Sequence, residues 1–336
     1  MLVDVLRQLS LKPTSIGDGL LSFYSQRIRF SAMKILVTGA TGFLGSYLVP
    51  LLVARGHQVV ATVRPGKHAV FPGLKDSTIE QIPLDLSTPF FLDIDQSFDA
   101  VITLAQDRDF RRFPISASNV FDVNASANVR IWEWASRVGV SRVIHASSGG
   151  IYGAKEGGSF KEDDLPPVNG QSSYYLGTKL CAELAFRAFS PCFDTAVVIR
   201  PFFIYGPGQD SDKFVQRMIT NVLKGTSIQL TPPDGVLTNP IFVNDAAEVF
   251  ADSLNLDGFH ILNCGGEETI SLRQLCNTIG LLTNRNPNYL VAGERTGDCI
   301  GSTELQNHVF SSPRTILNEG LKLTVNSTLS LLQAKE

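Results

Sequence analysis

The stretch K-I-L-V-T-G-A-T-G-F-L-G, from Lys34 to Gly45, decides the predicted fold of this chain. Lys34 to Thr38 is short and rich in aliphatic residues and is followed at once by glycine, which is typical of a buried parallel strand. Beyond Gly45, leucines recur at helical spacing, so the glycines lie in a strand-to-helix turn. Those leucines are Leu48, Leu51 and Leu52.

Each glycine of this turn has a predicted task in holding a dinucleotide. Gly39 allows the tight turn, Gly42 lets the backbone approach a pyrophosphate, and Gly45 lets the helix pack closely on the strand. The helix N-terminus offers free N–H groups and a positive dipole end to the phosphates. Glycine turns of this kind are common, so later motifs must support the interpretation. The predicted cofactor contacts in the turn are Gly39, Thr41, Gly42, Phe43, Leu44 and Gly45.

The composition sets limits on the class of protein. A chain of 336 residues with 43% hydrophobic content and a net charge of -3 is typical of a globular protein with a large core. The sequence contains no run of basic residues and no stretch of about 18 apolar residues. We therefore expect neither a nucleic acid partner nor a membrane span, and a small-molecule substrate instead.

The cysteines favour a protein in a reducing compartment, and the histidines argue against a metal site. The five cysteines are an odd number at irregular spacings, which is typical of free thiols and favours a cytoplasmic location. The five histidines form no pair at the spacing of metal ligands, either with each other or with a cysteine.

After residue 33 the chain alternates strand-like and helix-like stretches, which predicts an α/β fold: a doubly wound parallel sheet, the Rossmann arrangement. The predicted strands are Lys34 to Thr38, Val59 to Val63, Thr78 to Ile82, Ala100 to Leu104 and Val143 to Ala146, with a helix at about Ala117 to Val138. We expect the dinucleotide-binding domain at 33–205, and at 206–336 mainly a smaller substrate-binding lobe, with some segments returning to the first domain. Residues 1–32 are interpreted as a loosely ordered extension or an overlong start assignment, with a targeting peptide as the alternative.

The end of the second strand bears on the choice of dinucleotide. In a dinucleotide fold this end faces the adenosine ribose, where an acid accepts from the 2'-hydroxyl and an arginine pairs with a 2'-phosphate. Val63 occupies the acid's place and Arg64 follows it, which favours NADP(H), with NAD(H) as the alternative. Arg64 could also be a solvated surface residue. Asp85 and Leu86 lie where an adenine ring is expected, although Asp85 is equally well explained as a helix N-cap.

Tyr175 and Lys179 are four residues apart, a spacing that puts both on one face of a helix. A nearby ammonium favours the phenolate, so we expect the pKa of Tyr175 to fall from about 10 toward working pH. A tyrosine of this kind exchanges a proton with a hydroxyl or carbonyl oxygen. Ser148 ends the fifth strand and points into the crevice where ligands of such sheets bind, so its hydroxyl could orient that oxygen. Alone, each of these residues has an ordinary structural explanation.

Together these motifs resemble the extended short-chain dehydrogenase/reductase family, also called the NAD-dependent epimerase/dehydratase family. The resemblance rests on T-G-A-T-G-F-L-G, S-S-G-G-I-Y-G, Y-L-G-T-K, Arg200 to Gly208, Ile241 to Glu248 and Leu262 to Leu272, and covers nearly everything after Met33. It implies that Ser148, Tyr175 and Lys179 are catalytic and that the substrate is a nucleotide-activated sugar. The further cofactor contacts it implies are Leu104, Ala105, Asn124, Tyr175, Lys179, Pro201 and Phe203.

Departures from the family pattern narrow the expected reaction. Sugar 4,6-dehydratases of the family carry an Asp-Glu pair after the serine, where this chain has Gly149 and Gly150, so dehydration is not expected. Gly150 likewise replaces the cysteine typical of 3,5-epimerase/4-reductases. Phe203 and Phe242 stand where many members have an asparagine and a histidine.

The leading hypothesis is an NADP(H)-preferring reduction of a keto group, at C4 of a nucleotide-linked sugar. The alternative is a nucleotide-sugar 4-epimerase, of the UDP-glucose 4-epimerase kind, with tightly bound NAD. Less favoured are a reductase of the dihydroflavonol type and a non-catalytic dinucleotide-binding protein. The family also implies a homodimer through the helices at Ala117 to Val138 and Tyr175 to Phe189.

Overall fold

The computed structural model describes residues 32–333 except 72, 76–78, 91–93, 95, 168–172, 296 and 311–313. The predicted N-terminal extension therefore lies outside the described residues, apart from Ala32. The strands are β1 (Lys34–Thr38), β2 (Gln58–Val63), β3 (Glu80–Pro83), β4 (Ala100–Thr103), β5 (Arg142–Ala146), β6 (Thr195–Pro201), β7 (Ile228–Leu230), β8 (Leu237–Thr238), β9 (Gly258–Cys264), β10 (Ile270–Ser271) and β11 (Tyr289–Val291).

The helices alternate with these strands through most of the chain. They are α1 (Gly45–Ala54), α2 (Ala117–Phe121), α3 (Ala127–Val138), α4 (Tyr174–Phe189), α5 (Phe214–Lys224), α6 (Val243–Asp252), α7 (Leu272–Thr283), α8 (Glu304–Val309) and α9 (Leu317–Gln333). A π-helical turn, Asp122–Ser126, joins α2 to α3, so the predicted helix at 117–138 is interrupted. Such turns are frequent near functional sites.

Seven strands form one parallel sheet in the order β3-β2-β1-β4-β5-β6-β9. The chain winds outward from β1 in one direction and from β4 in the other, so the predicted doubly wound sheet is confirmed. β3 lies at Glu80–Pro83 rather than at Thr78 to Ile82, and residue 78 is outside the described residues. Two small two-stranded sheets, β10-β8 and β11-β7, lie in the C-terminal part.

The period of two along β1 explains why the sheet has a core on each face. Ile35 and Val37 join a cluster with α1 and α6, whereas Leu36 joins a cluster with α3 and α4. A third cluster packs α5, α7 and α9 against one another. Both α6 and β9 come from residues after 205, yet they belong to the first core and to the large sheet. The domain boundary at 205 stays a prediction.

His145, on β5, gives the fold an expected sensitivity to acid. It is fully buried, its Nδ1 lies 2.9 Å from Thr103 Oγ1, and its ring lies edge-on to Trp132. Burial, with a smaller effect of the Lys179 ammonium, holds the pKa of His145 well below its ordinary value. Below about pH 6.5 the unfolded chain therefore binds a proton that the folded chain does not. As the pH is lowered below that value, the free energy of unfolding should decrease, by at most about 1.4 kcal/mol per pH unit.

Urea unfolding at a series of pH values below neutrality checks this. His145→Gln should flatten the fall, because glutamine takes up no proton, whereas the same change at the exposed His68 should leave it as it is. Equal slopes in the natural protein and in His145→Gln would contradict the prediction.

Candidate active site

The turn after β1 has the shape that its glycines predict. Gly39 has φ +68°, and a Cβ atom built there would lie 2.6 Å from the backbone nitrogen of Ala105. A Cβ at Gly45 would collide with the carbonyl oxygen of Gly39, so α1 packs directly on the turn. The Gly42 N–H donates to that same oxygen at 2.9 Å. The turn leads straight into the N-terminus of α1, an arrangement that fits a pyrophosphate.

A cleft of about 1190 Å³ opens at the carboxyl ends of the central strands, starting at this turn. In open α/β sheets this edge, where the strand order reverses, is the usual ligand site. Nearly all the residues predicted for the site line the cleft. They are Gly39, Thr41, Gly42, Phe43, Leu44, Gly45, Arg64, Asp85, Leu86, Leu104, Ala105, Ser148, Tyr175, Lys179, Pro201 and Phe203.

Asn124 differs from the prediction of a cofactor contact. It is fully buried in the π-helical turn and is absent from the described residues that line the cleft. Its Oδ1 accepts from the Asp107 N–H at 3.0 Å, and its Nδ2 donates to Thr178 Oγ1 at 3.0 Å. Asn124 therefore connects the loop after β4 to α4, because protein groups engage both ends of its amide.

At the predicted adenosine end, Asp85 stabilises a local turn. Its Oδ1 accepts from the Ser87 N–H at 2.9 Å and from the Ser87 hydroxyl at 2.6 Å. These bonds hold the pKa of Asp85 below its ordinary value, and Arg64 contributes in the same direction. Asp85 thus presents a carboxylate beside Arg64 in the cleft. Arg55 is engaged elsewhere, by Glu248 and by Asp252.

Tyr175 lies in the first turn of α4, which begins where the Ser173 hydroxyl accepts from the Leu176 N–H. Its hydroxyl donates to Gln106 Oε1 at 2.9 Å, and the Phe110 ring lies 4.7 Å from its own. Burial raises the pKa of Tyr175, and Ser148 and Arg111 oppose this only in part. The prediction that the pKa of Tyr175 is lowered is therefore wrong, because the surrounding protein groups leave this pKa above its ordinary value.

The contacts of Lys179 explain why its ammonium does not lower the pKa of Tyr175. Its Nζ donates to the carbonyl oxygen of Ala146 at 2.9 Å, and the residue is only 2% exposed. Burial lowers the pKa of Lys179 to about 8, against the opposing effect of Glu183. The spacing of four residues brought the two side chains to one face of α4, but it could not indicate which partner the ammonium would have.

Ser148 extends β5 into the cleft and caps the short 3-10 helix Gly149–Tyr152, accepting from the Gly150 N–H at 3.2 Å. The aromatic ring of Phe202 fills the space beside Gly149, since a Cβ at 149 would lie 2.5 Å from it. The ring also lies against Gly301. Position 149 therefore has no room for an acidic side chain, in agreement with the absence of the dehydratase pair.

A buried ion pair supports α4 from below the cleft. Arg200 and Glu183 are 4% and 6% exposed, and Arg200 Nη2 lies 2.7 Å from Glu183 Oε2. Arg200 Nε reaches both carboxylate oxygens, at 3.1 and 3.2 Å, while Nη1 donates to the Tyr152 hydroxyl. In the sequence, Arg200 stands out only as part of a motif, and no pattern indicates Glu183, one turn after Lys179.

The other end of the cleft contains Phe203, which the sequence predicted, and Phe110, Lys213 and Phe214, which it did not. Phe110 lies between two cations, 4.9 Å from Arg111 and 4.5 Å from Lys213. Phe203 has φ +46°, a left-handed conformation that is rare for a bulky residue, and its ring packs 4.8 Å from Phe214. The only available signal was position, because loops after parallel strands meet at this edge. Phe242 is buried against Tyr205, away from this group.

The described residues contain neither a metal-binding cluster nor a membrane-spanning helix. Across the described part of 32–333, no group of three or more His, Cys, Asp or Glu residues is placed to hold a metal ion. Within the same residues, no helix is long and apolar enough to cross a membrane. All five cysteines are free thiols.

A model of the NAD dependent epimerase/dehydratase family matches residues 35–265. The UDP-glucose 4-epimerase of Mycolicibacterium smegmatis is 27% identical over 308 residues, which cover 87% of this chain and 97% of that protein. The dTDP-4-dehydro-6-deoxy-D-allose reductase of Streptomyces bikiniensis is 26% identical, over 76% of this chain and 83% of that protein.

A solved structure also matches most of this chain. The structure of MoeE5 in complex with UDP-glucose and NAD is 29% identical, with a TM-score of 0.74 over 89% of this chain and 99% of that chain. Residues 35–265, which the family model matches, contain the glycine turn, β5, α4 and β6.

Proposed function

Because this chain belongs to the NAD-dependent epimerase/dehydratase family, we propose that it moves a hydride to or from one carbon of a nucleotide-activated sugar. The prediction of an enzyme of this family is confirmed, and its matched relatives include epimerases and reductases. The observation that carries the proposal is the single cleft that the glycine turn shares with Ser148, Tyr175 and Lys179.

The proposed roles follow from the contacts of each side chain. A nicotinamide dinucleotide, held at the glycine turn, supplies or takes up the hydride. Tyr175, with the proton on its hydroxyl, gives it to the oxygen of a carbonyl that is being reduced, and takes it back in the opposite direction. Ser148 orients that oxygen. Lys179, anchored on the Ala146 carbonyl, places a positive charge in the same cleft.

Reduction of a keto group at C4 is the leading version of this function. Arg64, which lines the cleft, supports it, because a reductase exchanges its cofactor with the reduced NADP pool. The glycines at 149 and 150, with Phe202 filling the space, argue against dehydration. The alternative is a 4-epimerase, which the Mycolicibacterium relative and the NAD of MoeE5 favour.

Turnover distinguishes the two versions. Purified protein would be incubated with 4-keto nucleotide sugars and with UDP-glucose, with and without added reduced dinucleotide. Oxidation of one dinucleotide per reduced sugar supports the reductase. Formation of the C4 epimer of UDP-glucose without any net consumption of dinucleotide would replace it by the epimerase. The catalytic proposal fails if the protein converts none of these sugars. It also fails if Tyr175→Phe converts them as fast as the natural protein does.

The dinucleotide itself is tested at Arg64. The matched structure contains NAD, so the sequence-based preference for NADP(H) rests on Arg64 alone. We expect Arg64→Ala to weaken NADP(H) binding by about 10- to 100-fold, the effect of losing one charge-assisted hydrogen bond, and to leave NAD(H) binding unchanged. Arg55→Ala is the matched control, since Glu248 and Asp252 already engage Arg55. Calorimetric titration with both dinucleotides measures the difference; equal losses for both would refute an NADP-specific role.

A homodimer and a cytoplasmic location are parts of the same proposal. The helices expected at the dimer contact expose large apolar side chains, with Leu184 63%, Val138 45% and Phe121 40% exposed. Light scattering during size-exclusion chromatography tests the dimer: Leu184→Glu should shift a dimer toward the monomer mass. The free thiols support a reducing compartment.

A further inference from the structure

The partner of the Tyr175 hydroxyl is a side chain of the protein itself. Gln106 lies in the loop that follows β4 and lines the cleft. The Tyr175 hydroxyl donates to its Oε1 at 2.9 Å, the usual length for such a bond. The proton that the proposed reaction moves is thus directed at a carboxamide oxygen.

The structure holds these two residues in register through a chain of hydrogen bonds. The Asp107 N–H, next to Gln106, donates to Asn124 Oδ1 at 3.0 Å. Asn124 Nδ2 donates to Thr178 Oγ1 at 3.0 Å, and that hydroxyl donates to the carbonyl oxygen of Tyr175 at 2.7 Å. These bonds link the loop to α4 and place Gln106 within reach of the Tyr175 hydroxyl.

We propose that Gln106 is a positioning residue that keeps the proton on the Tyr175 hydroxyl and so sets the pH above which Tyr175 can accept a proton. A carboxamide oxygen only accepts hydrogen bonds. In the orientation that the structure shows, this oxygen faces the hydroxyl and stabilises the neutral phenol, which has a proton to donate. This inference rests on the proposed function, in which Tyr175 is the acid and base.

The other groups around Tyr175 act on its protonation in different ways. Arg111, from the same loop, is the nearby cation that favours the phenolate, and Asp212 pairs with it. Ser148 favours the phenolate as well. Lys179, one turn further along α4, is bonded to Ala146. The Phe110 ring contributes burial. Gln106 is the neighbour whose hydrogen bond favours the neutral form.

In the reduction, a reduced nicotinamide dinucleotide gives a hydride, with its electron pair, to the carbonyl carbon. The carbonyl oxygen takes the proton of Tyr175, and the products are the alcohol, the oxidised dinucleotide and the tyrosine phenolate. The phenolate then regains a proton from solvent. Oxidation starts from the phenolate, so a residue that disfavours the phenolate moves the pH profile of oxidation to higher pH.

Two substitutions with opposite expected signs test the role of Gln106. Gln106→Leu removes the acceptor, and the pH profile of alcohol oxidation should move to lower pH by about one pH unit, the equivalent of one hydrogen bond. Gln106→Glu places a charged acceptor there and should move the same profile to higher pH. Gln209→Leu removes an amide from the same cleft that donates to Ile204 and should leave the profile midpoint where it is.

A measurement without substrate separates this inference from the proposed function. Phenolate formation is followed by near-ultraviolet absorbance on raising the pH, and the Tyr175→Phe counterpart of each protein is subtracted. Phenolate from Tyr175 should form at lower pH in Gln106→Leu than in the natural protein. Coincident curves, or a shift to higher pH, would overturn the role of Gln106 even if the enzyme is active. A shifted curve with no turnover on any nucleotide sugar would instead defeat the proposed function and retain the contact.

Discussion

Replacing Tyr175 by phenylalanine should lower the rate of hydride transfer by about 10²- to 10⁴-fold, the usual contribution of a general acid. Phenylalanine keeps the packing against Phe110 and loses only the hydroxyl that bonds Gln106. Dinucleotide affinity should change little, because the glycine turn is untouched. Single-turnover absorbance of the dinucleotide with a bound substrate measures the rate, and calorimetry measures the affinity.

Tyr174→Phe is the matched control. Tyr174 is the preceding residue of α4, and its hydroxyl donates to the carbonyl oxygen of Ala117 at 2.9 Å. Its loss removes one hydrogen bond and leaves the Tyr175 proton in place, so the rate should remain within a few-fold. If both variants lose the rate to the same degree, the damage comes from α4 as a whole, and the assignment of the proton to Tyr175 is wrong.

Replacing Arg200 by methionine should lower the free energy of unfolding by about 3–5 kcal/mol, the usual cost of leaving one charge of a buried pair alone. Glu183 is 6% exposed and would lose a partner that reaches both of its carboxylate oxygens. The Tyr152 hydroxyl would lose a donor at the same time. Urea unfolding followed by the two tryptophans gives the number.

Two companion variants sharpen that result. Arg273→Met breaks the pair with Asp234, whose side chains are 31% and 51% exposed, and should cost no more than about 1 kcal/mol. Arg200→Met combined with Glu183→Leu should recover much of the loss, since no unpaired charge remains. A double variant as unstable as Arg200→Met alone would show that packing, not the charge of Glu183, sets the cost.

Local patterns were sufficient to predict the sheet and the glycine turn that lines one end of the cleft. The aliphatic run of β1 and the glycines that follow it constrain the chain within twelve residues, so no distant contact is needed to interpret them. The carboxyl ends of parallel strands then bring Arg64, Ser148 and Tyr175 to one edge.

The errors concern contacts between residues far apart in the chain. The spacing of Tyr175 and Lys179 predicted a shared face, but the Ala146 carbonyl, 33 residues away, decides where the ammonium points. Gln106 lies 69 residues from the tyrosine that it bonds. The amide of Asn124 is hydrogen-bonded to Asp107 and Thr178, which only the folded chain brings together.

The position of β9 has a consequence for how the protein is made. β9 pairs with β6 along its whole length, yet α5, β7, β8 and α6 are synthesised between the two strands. A ribosome releases the glycine turn and the tyrosine helix long before the strand that closes the sheet, and Gly301, the second wall against Phe202, emerges later still. Until then β6 is an open edge, the part of a sheet most prone to pair with another chain. Prematurely terminated chains that end before residue 258 should therefore aggregate, although they contain every residue proposed to act on the proton.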